Sequence, residues 1–172
     1  MPINKGLSIV FSISYCLIVA SLLYLLWSLT YEYIVELLIR ADLLVGGAAL
    51  TFVNRAAGFV EDVLVSAWGI LAISTIGWAI EATTIKIYDP IEVSGARVIW
   101  WRWFIVAITF TFVSVTLFSY LGNHSVLSGT GKMLLLGFAL LVVFPLYWIA
   151  SLFLTCKGLK AAVPGSGLLR GS

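Results

Sequence analysis

Residues 7–29 read LSIVFSISYCLIVASLLYLLWSL, a run without a charged side chain. At about 1.5 Å per helical residue, such a run crosses a hydrocarbon core ~30 Å thick. Three more apolar runs follow, at 63–80, 98–121 and 133–156, and the four together fill more than half of the chain. The fold expected is an all-α integral membrane protein, a bundle of four transmembrane helices. One membrane domain covers 1–156, and residues 157–172, with Lys157, Gly158, Lys160, Pro164 and Gly165, read as a flexible tail.

Composition agrees with that class. Of 172 residues, 62% are hydrophobic and only 10% charged, where a globular protein needs about 25% charged residues for its solvated shell. The net charge is +2 with no basic cluster, which excludes a nucleic-acid partner. The two cysteines, Cys16 in mid-span and Cys156 at the end of the last run, fall on different sides of the midplane, so no disulfide is expected. His124 is the sole histidine, which rules out bis-His haem ligation within the chain and a His-rich metal site. No nucleophile–base pair stands out either, so the expectation is a non-enzymatic protein without metal or cofactor. The first run is too long for a signal-peptide core and lacks a small-residue cleavage site, so it reads as a retained anchor.

Loop charges orient the spans. With the N-terminus inside, Lys5, Lys86, Arg97, Arg102, Lys157, Lys160 and Arg170 are cytoplasmic, against only Arg40, Arg55 and Lys132 outside. Basic residues resist translocation, so both termini are expected in the cytoplasm, in a bacterial or archaeal inner or plasma membrane. Trp27, Tyr31 and Tyr33 mark the outer boundary of the first span. Trp100, Trp101 and Trp103 surround Arg102 at the start of the third, as rings and a snorkelling guanidinium do at a lipid interface.

Between the first two spans, Glu32, Glu36 and Arg40 recur at four-residue spacing on one helical face, with Ile34, Leu37, Leu38 and Ala41 on the opposite one. That pattern predicts an amphipathic or interfacial helix, broken at Gly46-Gly47, with a second short helix over about 50–58. Glu61 and Asp62 then suit the N-terminal turn of the second span. Tyr88-Asp89-Pro90 signals a turn, and alternation through Ile85, Ile87, Ile91 and Val93 permits a short extended piece. Asn123-His124-Ser125 fits the glycosylation acceptor pattern but lies almost against the membrane, and Pro145 is expected to kink the fourth span.

Function is read mainly from packing signals. Ser8, Ser12, Cys16 and Ala20 form a ridge of small side chains at four-residue spacing, and Gly69 and Gly77 form a weaker one; both allow close helix approach. The expectation is an accessory or scaffold subunit of a larger membrane complex, whose partners are other membrane-protein subunits and lipids. Trp100, Trp101, Arg102 and Trp103 would anchor it, and Glu32, Glu36 and Arg40 would dock a partner. A homo-oligomer is compatible with the same ridges. The alternative is a small oligomeric transporter or channel, with Glu61 and Asp62 at its mouth and Glu81 as an inner gate.

Overall fold

Charged residues such as Glu32, Glu36 and Arg40 are good helix formers, so a helix begun in an apolar run need not stop where the run does. The computed structural model describes residues 5–45, 50–85, 90–121, 127–155 and 157–166; here the first three runs lie within longer helices, and the fourth reaches just past the end of its own. Helix α1 covers Lys5–Arg40, α2 Leu50–Thr84, α3 Pro90–Leu121 and α4 Gly129–Leu154. A 3-10 helix follows at Lys157–Ala162. All four α-helices are long and apolar enough to cross a membrane, as a multi-pass membrane protein requires.

Several boundaries differ from the expectation. The short helix at 50–58 and the second span are one continuous helix, α2. Glu61 and Asp62 therefore lie about three turns inside it, too far from its N-terminus for the dipole to hold them. Ile91 and Val93 belong to the first turn of α3 rather than to an extended piece. Pro90 opens that helix, where its missing N–H costs nothing. Helix α4 runs on through Pro145 to Leu154. The expected tail is placed up to Ser166: Leu159, Ala162 and Val163 are buried there, and the Trp148 indole donates to the Pro164 carbonyl at 2.8 Å. Gly46-Gly47, Lys86, Asn123, His124 and Cys156 lie outside the described residues.

Helix α2 is the most enclosed of the four and α1 the least. Helix α1 packs on α2, α2 also packs on α3 and α4, and α3 packs on α4. Two apolar clusters fill the interior. One gathers Trp27, Phe59, Val63, Leu127 and Val143; the other gathers Leu71, Trp78, Trp100, Tyr147 and Leu159. The segments after α1 and before α4 meet, because the Ser128 N–H donates to the Leu43 carbonyl at 2.8 Å. Ser128 also caps α4, its hydroxyl accepting from the Gly131 N–H at 3.2 Å. That contact places the end of α1 and the start of α4 on one face of the bundle, as an up-and-down topology needs.

Candidate functional site

The small-residue ridge of α1 is occupied by the chain itself. Ser8, Ser12 and Cys16 are buried, and Ala20 is half-buried. The Ser8 hydroxyl donates to the Leu154 carbonyl on α4, and the Tyr15 hydroxyl to the Leu146 carbonyl at 2.9 Å. On the α2 side, the Trp68 indole donates to the Cys16 carbonyl at 2.9 Å. Small side chains let three helices close on one line, and polar hydrogens then find carbonyls that lipid could not supply.

The two α2 glycines differ in what surrounds them. A Cβ on Gly69 would meet nothing within 4 Å, whereas one on Gly77 would fall 2.3 Å from the Trp103 ring. Gly77 is thus the seat of Trp103. From that seat the Trp103 indole donates to the Glu81 carboxylate at 2.6 Å, and Arg102 pairs with the same carboxylate. Glu81 is a latch between α2 and α3, its negative charge met by a guanidinium and an indole N–H. Trp100, expected among the interfacial anchors, is buried instead. It stacks on Phe104 with ring centroids 5.4 Å apart, and its carbonyl accepts from the Tyr147 hydroxyl. Of the four residues at 100–103, Trp101 and Arg102 are the exposed pair.

At the other end, α1 and α2 run past the apolar runs as a projecting pair. At about 1.5 Å per residue α1 is about 54 Å long, well beyond a core of ~30 Å. Glu32, Glu36 and Arg40 are all exposed, and Arg40 pairs with Glu36 one turn away at 2.5 Å. An exposed pair of this kind contributes little to stability, about 0.3–0.5 kcal/mol. The apolar residues of this stretch divide: Ile34, Val35 and Leu38 pack towards α2, while Leu29, Tyr33 and Leu37 stand 68%, 74% and 61% exposed. These three are four residues apart and form one ridge beside the Glu36–Arg40 pair. Glu61 and Asp62 are exposed on α2. Glu61 and Glu32 line one recess between the helices, together with Tyr24, Trp27 and Tyr31.

Sequence reasoning missed the exposed ridge at 29, 33 and 37, although its spacing was visible, because nothing in the sequence says which helical face the bundle covers. It also missed Trp68, Trp78 and Tyr147, whose signal was available. A phenol deep in a span calls for a buried hydrogen-bond partner, as Tyr147 finds the Trp100 carbonyl; Trp78, near the end of its run, finds the Thr155 hydroxyl at 2.8 Å. Among the described residues, no three His, Cys, Asp or Glu side chains gather where a metal ion could be held. No protein-family model, curated protein or solved structure matches this chain.

Proposed function

We propose that the protein is a non-enzymatic subunit or accessory protein of a larger membrane assembly, which grips its partner through the projecting end of α1. The observation that carries this reading is the ridge of Leu29, Tyr33 and Leu37, exposed where α1 leaves the apolar run and continues past it. An apolar ridge beside a polar pair has the make-up of an interface, with a dry centre and a wet rim. In this reading residues 31–42 are the amphipathic segment, Glu32, Glu36 and Arg40 set the partner's register, and both termini lie in the cytoplasm. The membrane is the inner or plasma membrane of a bacterium or archaeon. The small-residue ridge at Ser8, Ser12 and Cys16 serves the protein's own packing, which leaves the α1 projection as the docking element.

The channel reading draws on Glu32 and Glu61 sharing a recess. Against an inner gate at Glu81 stands its double engagement by Arg102 and Trp103. Reversing charge at three positions (Glu32→Lys, Glu36→Lys and Arg40→Glu) tests the docking role. The triple variant should insert and fold normally, yet lose the partner that the unaltered chain retains on purification in mild detergent. Unchanged co-purification would remove these three residues from the interface.

A further inference from the structure

The groove between α1 and α2, where both helices leave their apolar runs, has a dry part and a charged part. The dry part is a half-open cavity of about 110 Å³ lined by Ala20, Leu23, Leu64, Val65 and Trp68, with Tyr24 and Trp27 completing its wall. Glu61 lines this cavity and also the wider recess above it, where Glu32 and Tyr31 join. Trp27 and Tyr31 meet edge to face there, with centroids 5.5 Å apart and planes at 87°. Both carboxylates lie at the edge of the apolar runs, since residues 7–29 end just before Glu32 and residues 63–80 begin just after Glu61. Among the described residues, neither has a basic partner: Arg40 is engaged with Glu36 and Arg102 with Glu81.

We infer that this groove binds a membrane lipid whose headgroup ends in an ammonium group. An acyl segment fills the slot along Leu23, Leu64, Val65 and Trp68, and the ammonium sits between Glu32 and Glu61 against the faces of Tyr24, Trp27 and Tyr31. Each part of the groove selects for one part of that ligand. Aromatic faces attract cations through their quadrupole, more strongly where water is thinned, and carboxylates at the headgroup layer add charge complementarity. An anionic headgroup would meet two like charges and no compensating cation. A water-soluble amine would leave the apolar slot unfilled. The inference shares Glu32 and Leu29 with the partner-docking reading but stands apart from it, because its ligand is a lipid in the groove facing α2 and its readout is lipid retention rather than a protein partner.

The test uses the full-length protein, delipidated in mild detergent and offered phosphatidylethanolamine and phosphatidylglycerol with identical acyl chains. Retention is read by native mass spectrometry. The ethanolamine lipid should be retained about tenfold better, the discrimination that one cation–π contact plus one exposed ion pair supports. The double variant Glu32→Gln, Glu61→Gln, isosteric at two exposed positions, should lower the ratio to about twofold to fivefold, what the aromatic faces alone support. Ala20→Phe, which fills the slot and spares both carboxylates, should lower retention of both lipids. Equal retention by the unaltered protein would overturn the proposal, as would a preference that the double variant leaves undiminished. Displacement of the lipid by free ethanolamine at matched concentration would overturn the acyl half of it.

Discussion

Cutting the chain back to Thr155 should destabilise the bundle by about 3–5 kcal/mol, the scale of losing two buried aliphatic side chains and an indole hydrogen bond. The segment removed is a plug rather than a trailing end. Leu159 and Val163 are 2% and 1% exposed and belong to the cluster around Trp78, Trp100 and Tyr147. Its backbone is pinned at two points: Arg97 on α3 donates to the Ala161 carbonyl at 3.2 Å, and Trp148 on α4 donates to the Pro164 carbonyl at 2.8 Å. Gly165 completes the turn with φ +81°, and a Cβ there would lie 2.9 Å from the Trp148 ring. The point variant Leu159→Ala separates loss of packing from loss of chain and should cost about 2–3 kcal/mol on its own. Thermal unfolding in detergent, followed by near-ultraviolet circular dichroism, reads both. Unchanged midpoints would mean that the segment does not contribute to the bundle.

Gly77→Ala and Gly69→Ala, two substitutions on one helix, should move stability in opposite directions. At Gly69 the added methyl enters open space, so the helix gains what alanine gives over glycine, about 0.5–1 kcal/mol. At Gly77 the methyl would overlap the Trp103 ring, 2.3 Å away. That ring cannot simply turn aside, because its indole is held by Glu81 at 2.6 Å and the same carboxylate holds Arg102. Either the helices separate or the latch opens. Overpacking of this kind costs about 1–3 kcal/mol, and an opened latch adds the loss of a charge-assisted bond. The expected reading is a lower unfolding midpoint for Gly77→Ala, with the Trp103 fluorescence shifted towards that of a solvated indole. Equal behaviour of the two variants would show that Trp103 is not seated on Gly77.

The four membrane helices were legible because apolar runs of spanning length have few other uses, and helical hydrogen bonding is what satisfies a backbone in lipid. Helix ends were less so. The run from Thr30 to Arg40 loses its apolar character but keeps good helix formers, so α1 continues where hydropathy says the membrane has ended. Neighbours in sequence also parted in space. Trp100 and Trp101 sit side by side in the chain, yet one is buried in an aromatic stack and the other is 43% exposed; only the packing of α4 against α3 decides that. Glu81 was read only as an inner gate, whereas Arg102 on the next helix pairs with it. Such a pair, 21 residues apart on two helices, leaves no periodic trace. The small-residue ridge was legible as a contact line, but sequence does not separate contact within a chain from contact between chains.

A photo-crosslinking residue at Leu37, with the same residue at Leu141 as reference, tests the docking role of α1 in native membranes. Leu37 and Leu141 are 61% and 72% exposed on different helices, so accessibility alone predicts equal yields. A discrete protein adduct of one fixed mass at Leu37, absent at Leu141, is the expected result. Lipid adducts alone at both positions would contradict the account. An adduct of twice the chain's own mass would contradict it too, and would turn attention to a homo-oligomer and to flux in liposomes.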